Sequence, residues 1–237
     1  MKKKKKERVL VISDTQFPFQ HPDMFKFLAY LKKKYKPTRV VHIGDLFDFH
    51  ALSDYPTDPD ADGVGQEFDQ AMKQKKKLEK LFPKMDILTS NHDVRFFKRL
   101  KRAGIPRRFW PTYEELFECV EGWSFHERVI IDDVIYVHGH TVPASGGNVM
   151  QNAIKRYSGN IVMGHHHTRL GLDYYANEDH LFFGMCVGCL IDHKVYAFEY
   201  QAAAVRKPLV GTGVVIKGIP AIEPMILDKS GRWIGGK

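Results

Sequence analysis

Side chains that can bind metal ions recur along this chain, each just after a short apolar run. They are Asp14, Asp45, Asn91, His92, His138 and the triple histidine His165, His166 and His167. In open α/β sheets, ligand-binding groups gather beyond the carboxyl ends of the strands, so loops far apart in sequence converge there. Carboxylate, amide and imidazole donors in one place suit Mn²⁺, Fe or Zn²⁺ better than Ca²⁺. The pattern therefore indicates a metal site assembled from several loops.

Each of these residues also has an ordinary structural explanation. Asp14 or Asp45 alone is more often a turn residue or a helix cap, and Asn91 alone is more often a turn residue. His138 alone is more often a hydrogen-bonded histidine at a strand end. The triple histidine is different, because placing it after a buried strand costs packing and desolvation unless something binds it. The ordered set is therefore more specific than its members.

Strand and helix patterns alternate through the first half of the chain and would place these residues at strand ends. Apolar, β-branched runs are typical of strands buried on both faces, and apolar residues at helical spacing are typical of helices packed on a sheet. The predicted strands cover residues 9–13, 39–43 and 84–89, and the predicted helices cover residues 22–35, about 66–81 and 93–101. In the second half the prediction is a hairpin at residues 129–131 and 134–138, a helix at about 147–157, a strand at 161–163 and a turn at 228–231.

Composition favours one globular domain. The 237 residues include 43% hydrophobic side chains, and no stretch reads as a linker, so we expect a basic, disordered tail at residues 1–7 and a single domain at residues 8–237. No apolar run reaches the ~18–20 residues that span a bilayer, and the N-terminus lacks the apolar core of a signal peptide. Three cysteines do not make a disulfide framework. We therefore expect a cytoplasmic protein with no membrane partner, in a reducing compartment.

The net charge of +8 is concentrated at the N-terminus, where Lys2 to Lys6 supply five units and leave 31 basic against 28 acidic residues in the rest of the chain. Such a run is most often a solvated tail, but clustered cations also raise non-specific affinity for nucleic acid. The lysines at 73 and 75–77 have the same two interpretations. The stretch from Arg107 to Trp110 with Tyr113 would either stack bases and hold phosphates or anchor a loop.

The order of the candidate residues resembles that in calcineurin-like metallophosphoesterases. Five blocks occur in the family's order: Asp14-Thr15-Gln16, Gly44-Asp45-Leu46-Phe47-Asp48, Ser90-Asn91-His92-Asp93, His138-Gly139-His140 and Gly164-His165-His166-His167. The match runs from Asp14 to His167, about two thirds of the chain. The resemblance implies an α/β fold, specifically a four-layer α/β/β/α sandwich, with two divalent metal ions at its rim.

The resemblance also implies a role for each residue. One ion would be held by Asp14, Gln16, Asp45 and His167, and the other by Asp45, Asn91, His138 and His165, so that Asp45 bridges them. His92 would be the general acid beside the substrate, while Asp93 and Asp48 would orient His92 and the loop after the second strand. Outside the roles that the resemblance implies, His140 and His166 would either contact substrate or support the metal ligands from behind. Two ions ~3.5–4 Å apart clamp a phosphate group and activate a bridging water for in-line displacement.

These roles predict a metal-dependent phosphoesterase that hydrolyses phosphodiesters of nucleotides or nucleic acid by attack of a metal-bound water. Mn²⁺ is the expected metal, with Fe, Zn²⁺ or Mg²⁺ as alternatives. Two other functions stay open: a small-molecule phosphomonoesterase of the same fold, and a non-catalytic relative that serves as a binding module. His92 favours an enzyme, since a binding module needs no acid for a leaving group.

Three positions depart from the family's pattern. Gln16 stands where the first motif has a histidine, and because an amide oxygen is a poorer donor than imidazole, the first ion would bind more weakly or be Mn²⁺ or Mg²⁺. Ser90 replaces a glycine in a turn, which predicts only a mild change. Phe49 stands where protein Ser/Thr phosphatases carry a phosphate-gripping arginine. Its presence argues against phosphoprotein substrates and favours singly charged diesters over dianionic monoesters.

Two further features have structural explanations. Cys186 and Cys189 have CxxC spacing but stand alone among strand-like residues, so we interpret them as packed side chains rather than metal ligands. His42 lies inside an apolar run and is predicted to be a core histidine.

Overall fold

The protein contains two β-sheets, seen in a computed structural model that describes residues 6–55, 58–144, 148–192, 194–195 and 207–235. The first sheet consists of β1 (Arg8–Ile12), β2 (Arg39–His42), β3 (Met85–Leu88), β4 (Trp123–His126), β10 (Gly211–Ile216) and β11 (Ile219–Pro224), in the spatial order β11-β10-β1-β2-β3-β4. Strands β1 to β4 run parallel, so their carboxyl ends meet at one edge, and β10 pairs antiparallel with β1.

The second sheet and the helices complete the fold. The sheet consists of β5 (Val129–Ile131), β6 (Val134–Val137), β7 (Asn160–Met163), β8 (Leu170–Ala176) and β9 (Leu181–Val187), in the order β5-β6-β7-β9-β8. The helices are α1 (Met24–Tyr35), α2 (Val64–Leu81), α3 (Arg95–Arg102), α4 (Tyr113–Leu116) and α5 (Val149–Tyr157). Within the described ranges, none of the helices combines the length and the apolar character needed to cross a membrane.

Alternation along β1 explains why layers form on both faces of the first sheet. Leu10 and Ile12 belong to a hydrophobic cluster with residues of α1 and α2. Val9 and Val11 point the other way, into a cluster shared with residues of β6, β7 and β9. Successive side chains of a strand point to opposite faces, so one short apolar run packs a helix layer and a second sheet at once.

The second sheet repeats this arrangement. Val162 of β7 faces the first sheet, whereas its neighbours Ile161 and Met163 pack against Ala153 and Ile154 of α5. The layers therefore follow the order helices, sheet, sheet, helix. This is the four-layer α/β/β/α sandwich that the resemblance implied.

The elements predicted from sequence all occur, with ends that differ by at most two residues from the observed ones. No bounds were predicted for strands β8 to β11, and neither the strand β4 nor the short helix α4 was predicted. Their sequences Trp-Ser-Phe-His and Tyr-Glu-Glu-Leu are too short to show a period. Strand β4 exists because it pairs with β3 and buries Trp123.

Lys75 of α2 fits neither interpretation of the lysines at 73 and 75–77, which were predicted to be solvated or to attract nucleic acid. Its side chain is fully buried, forms an ion pair with Glu79, and donates a 2.6 Å hydrogen bond to the carbonyl of Glu118. Leu78, three residues further along the helix, is buried on the same side. Lys75 therefore cannot contact a polyanion. Of the lysines at 73 and 75–77, the exposed ones are Lys73, Lys76 and Lys77.

The N-terminal tail lies mostly beyond the described part of the chain, since residues 1–5 are outside it. Glu7, at the end of the predicted tail, is bound into the fold. Its N–H donates to Asp132 Oδ2 at 2.6 Å, and its carbonyl accepts from the Lys217 N–H at 2.9 Å. Hydrogen bonding to the sheets therefore begins no later than Glu7.

Candidate metal centre

Six predicted metal-binding residues lie together where carboxyl ends of strands from both sheets meet. Asp14, Asp45 and Asn91 follow β1, β2 and β3, while His138 follows β6 and His165 and His167 follow β7. The donor atoms of Asp45, His138 and His165 all lie within 4.8 Å of one another, and those of Asp14, Asp45 and His167 form a second such group. Because Asp45 belongs to both groups, they share one carboxylate, which can divide its oxygens between two cations.

His138 presents the lone pair of its Nε2 to this cluster. Its Nδ1 lies 2.8 Å from the carbonyl of Ile43, so Nδ1 carries the proton and donates. Nε2 then lies 2.8 Å from Asn91 Oδ1 and 3.4 Å from Asp45 Oδ1. All three of these atoms are hydrogen-bond acceptors. Lone pairs at this separation repel unless a proton or a cation lies between them. A ligating histidine typically donates its other ring N–H to such a carbonyl, so the donor set fits a divalent cation.

Gln16 lies beside the second donor group. Its Nε2 is 3.2 Å from Asp45 Oδ2 and 3.4 Å from His167 Nε2, while its buried Oε1 has no hydrogen-bond partner among the described residues. A buried acceptor without a partner costs about 1–3 kcal/mol. A half-turn about the terminal bond exchanges the two amide atoms. Oε1 would then face Asp45 and His167 and could serve as a ligand.

The backbone at the centre adopts conformations that side chains rarely occupy. The φ angle is 48° at Asp14, 42° at Gln16, 52° at Asp45 and 64° at His165. Such residues cost about 1–3 kcal/mol each and persist only where the surroundings hold them. Here the Asp14 N–H donates to the Gly44 carbonyl at 3.1 Å and the Gln16 N–H to the Asp45 carbonyl at 2.9 Å. These bonds hold the loops after β1 and β2 together with their side chains at one site.

Gly164 lets the loop after β7 approach β1 closely. A Cβ at this position would overlap Ser13 Oγ and lie 2.5 Å from Asp14 Oδ2. The next residue, His165, donates its backbone N–H to the same Asp14 Oδ2 at 3.0 Å. The triple-histidine loop of the second sheet therefore rests directly on the first ligand of the first sheet.

Ser90 links the ligand loops through its hydroxyl. Its Oγ accepts from the Asp45 N–H at 2.9 Å and donates to Asp93 Oδ2 at 2.6 Å. Asp45 Oδ1 accepts in turn from the His92 N–H at 3.2 Å. Ser90 thus holds the shared carboxylate residue in place, which is more than the mild change predicted for a serine in this turn.

Burial and neighbouring charges set the protonation of the cluster. Burial alone would raise the pKa of Asp45, but its neighbours, His138 first and then His92 and Ser90, hold that pKa well below its ordinary value. Burial opposes ionisation of Asp14 too, yet its hydrogen bond with His167 lowers its pKa. For His165, burial and then His138 lower the pKa to about 4. The carboxylates are therefore ionised and His165 is neutral at pH 7, the states that metal binding requires.

His92 lies between the Asp48 carbonyl and the guanidinium of Arg95. Its Nδ1 is 2.9 Å from Asp48 O, and its Nε2 is 3.2 Å from Arg95 Nη2. Guanidinium nitrogens only donate, so Nε2 accepts and the ring proton is on Nδ1. Burial, with Arg95 adding to it, lowers the pKa of His92 to about 4. Acting as an acid therefore requires Nε2 to release Arg95 and gain a proton.

Arg95 places a guanidinium beside His92, although position 49 is a phenylalanine and not an arginine. Its Nη1 donates to Asp48 O at 2.9 Å and lies 3.3 Å from Asp48 Oδ1, and its side chain is 18% exposed. Phe49 is buried, with its ring packed on Phe47 and Phe68. The preference for diesters that was argued from Phe49 stays a prediction, and α3 supplies a guanidinium beside His92 from elsewhere in the sequence.

Asp48 and Asp93 lie behind His92 in different roles from those predicted. Asp48 holds the His92 ring through its carbonyl, and its Oδ2 lies 3.6 Å from Nδ1. Asp93 binds Ser90 and so supports the loop of Asp45 after β2. Burial raises the pKa of Asp48 to about 8 and that of Asp93 to about 7. The two acids have thus exchanged the tasks of orienting His92 and supporting the loop.

His140 and His166, the predicted substrate contacts, flank the ligands. The His140 ring lies 5.6 Å from that of His138, and the His166 ring lies 5.0 Å from that of His165. Nε2 of His166 is buried without a hydrogen-bond partner among the described residues. His140 is exposed and lines a cleft of about 650 Å³ that opens beside His138. Both histidines are therefore adjacent to the donor groups.

Other candidates are part of the packing. His42 is fully buried, as predicted, with Nε2 3.0 Å from Thr15 Oγ1. Cys186 and Cys189 are free and buried, and burial raises the pKa of Cys186 to about 12. Tyr113 stacks on Phe125 at 5.1 Å between ring centroids, so it anchors its loop to the sheet. None of these side chains adds to the chemistry of the centre.

Sequence reasoning missed Ser90 and Arg95 as contributors to the centre. Both lie within three residues of His92 along the chain. The i, i+3 spacing of His92 and Arg95 at the start of a predicted helix was a usable signal, because such residues share a helix face. The partners of Ser90 and Arg95 after β2 could not be identified from spacing, since they lie more than 40 residues away.

Known proteins share both the sequence pattern and the fold of this chain. Residues 7–195 match the calcineurin-like phosphoesterase family. The Gene 54 proteins of Mycobacterium phages D29 and L5 are 26% and 28% identical to it over 231 residues, covering 84% of this chain and 85% of each relative. Vps29 of Chaetomium thermophilum has a TM-score of 0.50 at 12% identity, covering 95% of this chain and 92% of that chain. At that identity, the likeness to Vps29 shows the fold alone.

Proposed function

The chain belongs to the calcineurin-like phosphoesterase family, and from this premise we propose that it hydrolyses phosphodiesters of nucleotides or nucleic acid with two divalent metal ions. The observation that carries the proposal is the pair of donor groups that share Asp45. Two neighbouring cations can be bound by two sets of donor atoms that share one carboxylate. The ionised carboxylates and neutral His165 are consistent with this use.

The donor set divides between the two ions by proximity. One ion would be held by Asp14, Gln16, Asp45 and His167, and the other by Asp45, Asn91, His138 and His165. When bound, such ions polarise the phosphate and lower the pKa of water, which makes hydrolysis possible at neutral pH. Oxygen and imidazole donors together favour Mn²⁺, with Fe, Zn²⁺ and Mg²⁺ as alternatives.

The remaining polar residues position the substrate and the proton. Nε2 of His92 and Nη2 of Arg95 lie 3.2 Å apart, so both can reach one phosphate group. Arg95 Nη2 would donate to an anionic phosphate oxygen, and protonated His92 would donate to the leaving oxygen. The Asp48 carbonyl keeps the His92 ring in place, while Asp93 and Ser90 keep Asp45 in place.

Two structural features favour different ester classes. The cleft beside His138 gives room for a substituent on the phosphate, which favours a diester with groups on both sides. Arg95 favours the second candidate, a phosphomonoesterase, because a guanidinium beside His92 stabilises a dianion well. The decisive comparison is kcat/KM with Mn²⁺ for bis(4-nitrophenyl) phosphate and for 4-nitrophenyl phosphate. A monoester preference of about tenfold or more, an energy difference of about 1.4 kcal/mol, would transfer the assignment to the phosphatase.

The variant Asp45→Asn tests the two-metal proposal itself. Removing the shared charge should reduce kcat/KM for the diester by at least about 10²-fold, because an electrostatic contribution made at the reacting group is lost. Metal content measured by mass spectrometry should fall at both positions while circular dichroism is unchanged. Asp69→Asn, on the exposed face of α2, is the matched control. Near-normal turnover by Asp45→Asn would exclude the proposal, and a wild-type protein that binds none of the four metals would instead be a binding module.

A further inference from the structure

A cleft with basic side chains opens onto the metal centre. Its volume is about 650 Å³, and its lining includes Asn91 and His138, so it is continuous with the donor groups. The rest of the lining includes Lys98 of α3, Arg128 between β4 and β5, and Tyr157 of α5. The cleft therefore leads away from the metal centre past Lys98, Arg128 and Tyr157, residues that the proposed chemistry does not use.

The two cations of the cleft are not committed to protein partners. Lys98 and Arg128 are exposed, and within the described residues neither side chain takes part in a hydrogen bond or an ion pair. Arg99 and Arg102 on the same helix differ, because both form ion pairs with Asp54. Helix α3 thus carries basic residues that form ion pairs with Asp54 and one, Lys98, that lines the cleft and approaches Asp54 without forming an ion pair.

We propose that the cleft is a second phosphate subsite, in which Lys98 and Arg128 bind the phosphate next to the scissile one on a single-stranded nucleic acid. This rests on the proposed function, since it takes the scissile phosphate to lie at the metal centre. Oxygens of a neighbouring phosphate would accept from the Lys98 ammonium and the Arg128 guanidinium. The exposed His140 ring lines the same cleft 5.6 Å from the ring of His138 and would face the sugar or base that joins the phosphates.

The dimensions and lining favour a single strand over a duplex. A volume of about 650 Å³ is that of a small-ligand pocket, so it accommodates a nucleotide unit but not a double helix. Tyr157 contributes an aromatic ring to the lining, and stacking of bases on aromatic rings is how single-stranded nucleic acids are commonly held. Glu127 is the only acid among the described lining residues, and its negative charge weakens the attraction of the two cations for a phosphate.

Paired substitutions test the subsite against a control of equal charge. The test variant is Lys98→Gln with Arg128→Gln. The control is Lys101→Gln with Lys155→Gln, which removes the same charge from exposed positions on α3 and α5 outside the cleft. Binding of a fluorescent single-stranded hexanucleotide is measured by anisotropy over a range of salt concentrations in the presence of a chelator, so that no cleavage occurs. Hydrolysis of bis(4-nitrophenyl) phosphate with Mn²⁺ is measured alongside.

The test variant should weaken binding of the oligonucleotide by about tenfold, and the slope of log K against log salt should fall by about 1.4, because two contacts to single-strand phosphates are lost. The control variant should retain the wild-type slope. Hydrolysis of the small diester should stay within about twofold of wild type in both variants, since it has one phosphate. Equal binding by test and control variants would overturn the subsite. Failure of the proposed function would appear separately, as a wild-type protein that hydrolyses no phosphodiester.

Discussion

Gln16 is the residue through which metal preference at the centre can be changed. Its amide lies against Asp45 and His167, and its Oε1 has no other partner among the described residues. Gln16→His should place an imidazole there and shift preference from Mn²⁺ towards Zn²⁺, a softer ion that imidazole suits. Histidine also tolerates the positive φ of this position better than most residues.

Calorimetric titration with each ion checks this expectation. We expect the ratio of Zn²⁺ to Mn²⁺ affinity to rise by at least about tenfold, or about 1.4 kcal/mol. Gln16→Glu is the control, since it adds an oxygen donor and a charge without an imidazole. Unchanged affinities for both ions in Gln16→His would mean that Gln16 is not a ligand.

Arg95 determines how well the centre handles a doubly charged phosphate. Arg95→Gln removes the donor beside His92, so kcat/KM for 4-nitrophenyl phosphate should fall by about 10–100-fold, the equivalent of a charged hydrogen bond. The loss for bis(4-nitrophenyl) phosphate should be smaller, because its phosphate carries a single negative charge. Steady-state kinetics on the two esters measures the difference.

Arg99→Gln separates this effect from loosening of the loop after β2. Arg99 lies on the same helix and donates to the Leu52 carbonyl at 3.2 Å, yet it does not contact His92. Its loss should leave the ratio of the two activities unchanged. If Arg95→Gln reduced both activities equally, Arg95 would be a support for the loop rather than a contact to substrate.

Helix α2 contains a buried charge that should be costly to disrupt. Lys75→Ala leaves Glu79 without its counter-ion in a buried position, which should reduce the free energy of unfolding by about 3–5 kcal/mol. Lys75→Met combined with Glu79→Leu should cost much less, because no unpaired charge is left. Chemical denaturation measures both variants.

The exposed neighbour Lys76 provides the control for that helix. Lys76→Ala should change the free energy of unfolding by less than about 0.5 kcal/mol. An equally small loss for Lys75→Ala would show that the Lys75–Glu79 pair contributes nothing to stability.

At the scale of single elements, sequence patterns were sufficient to predict which residues are buried when the apolar pattern of one strand or helix determines this. The run from Val9 to Ile12 packs on both faces, as its continuous apolar character predicts. The position of Asp14 directly after it then follows from where strands end. Lys75 was not predictable as buried by residue type, because its ion pair and its position beside Trp123 come from tertiary packing.

Residue spacing in the sequence could not predict the contacts between elements at the centre. The sequence placed His92 next to a ligand, but the orientation of its ring depends on the Asp48 carbonyl and Arg95. Ser90 connects Asp45 to Asp93 by bonds of its hydroxyl, which no periodicity encodes. Such details depend on how two loops approach in space.

Over the whole molecule, metal binding should stabilise the packing of one sheet on the other. Three ligand loops come from the first sheet and two from the second, so ions at the centre bind the folded state and not the unfolded chain. An ion present at about 100 times its Kd adds about 2.7 kcal/mol per site. For a chain of this size, each kcal/mol raises Tm by about 2–4 °C.

Thermal unfolding with and without a chelator measures this stabilisation. We expect a higher Tm with Mn²⁺ than with the chelator in the wild type and a much smaller difference in Asp45→Asn. Identical Tm values for the wild type with Mn²⁺, Zn²⁺, Fe and Mg²⁺ and with the chelator would contradict metal binding at the centre.

The position of β1 in its sheet also bears on the order in which the protein folds. This strand pairs with β2 on one side and with β10 on the other, so Arg8 lies opposite Ile216. During synthesis the first strand of the sheet is thus made long before its second neighbour. Until β10 emerges from the ribosome, β1 presents an unpaired edge, which can pair with another chain. Pairings between such distant segments form slowly, so this edge of β1 stays open until β10 folds onto it.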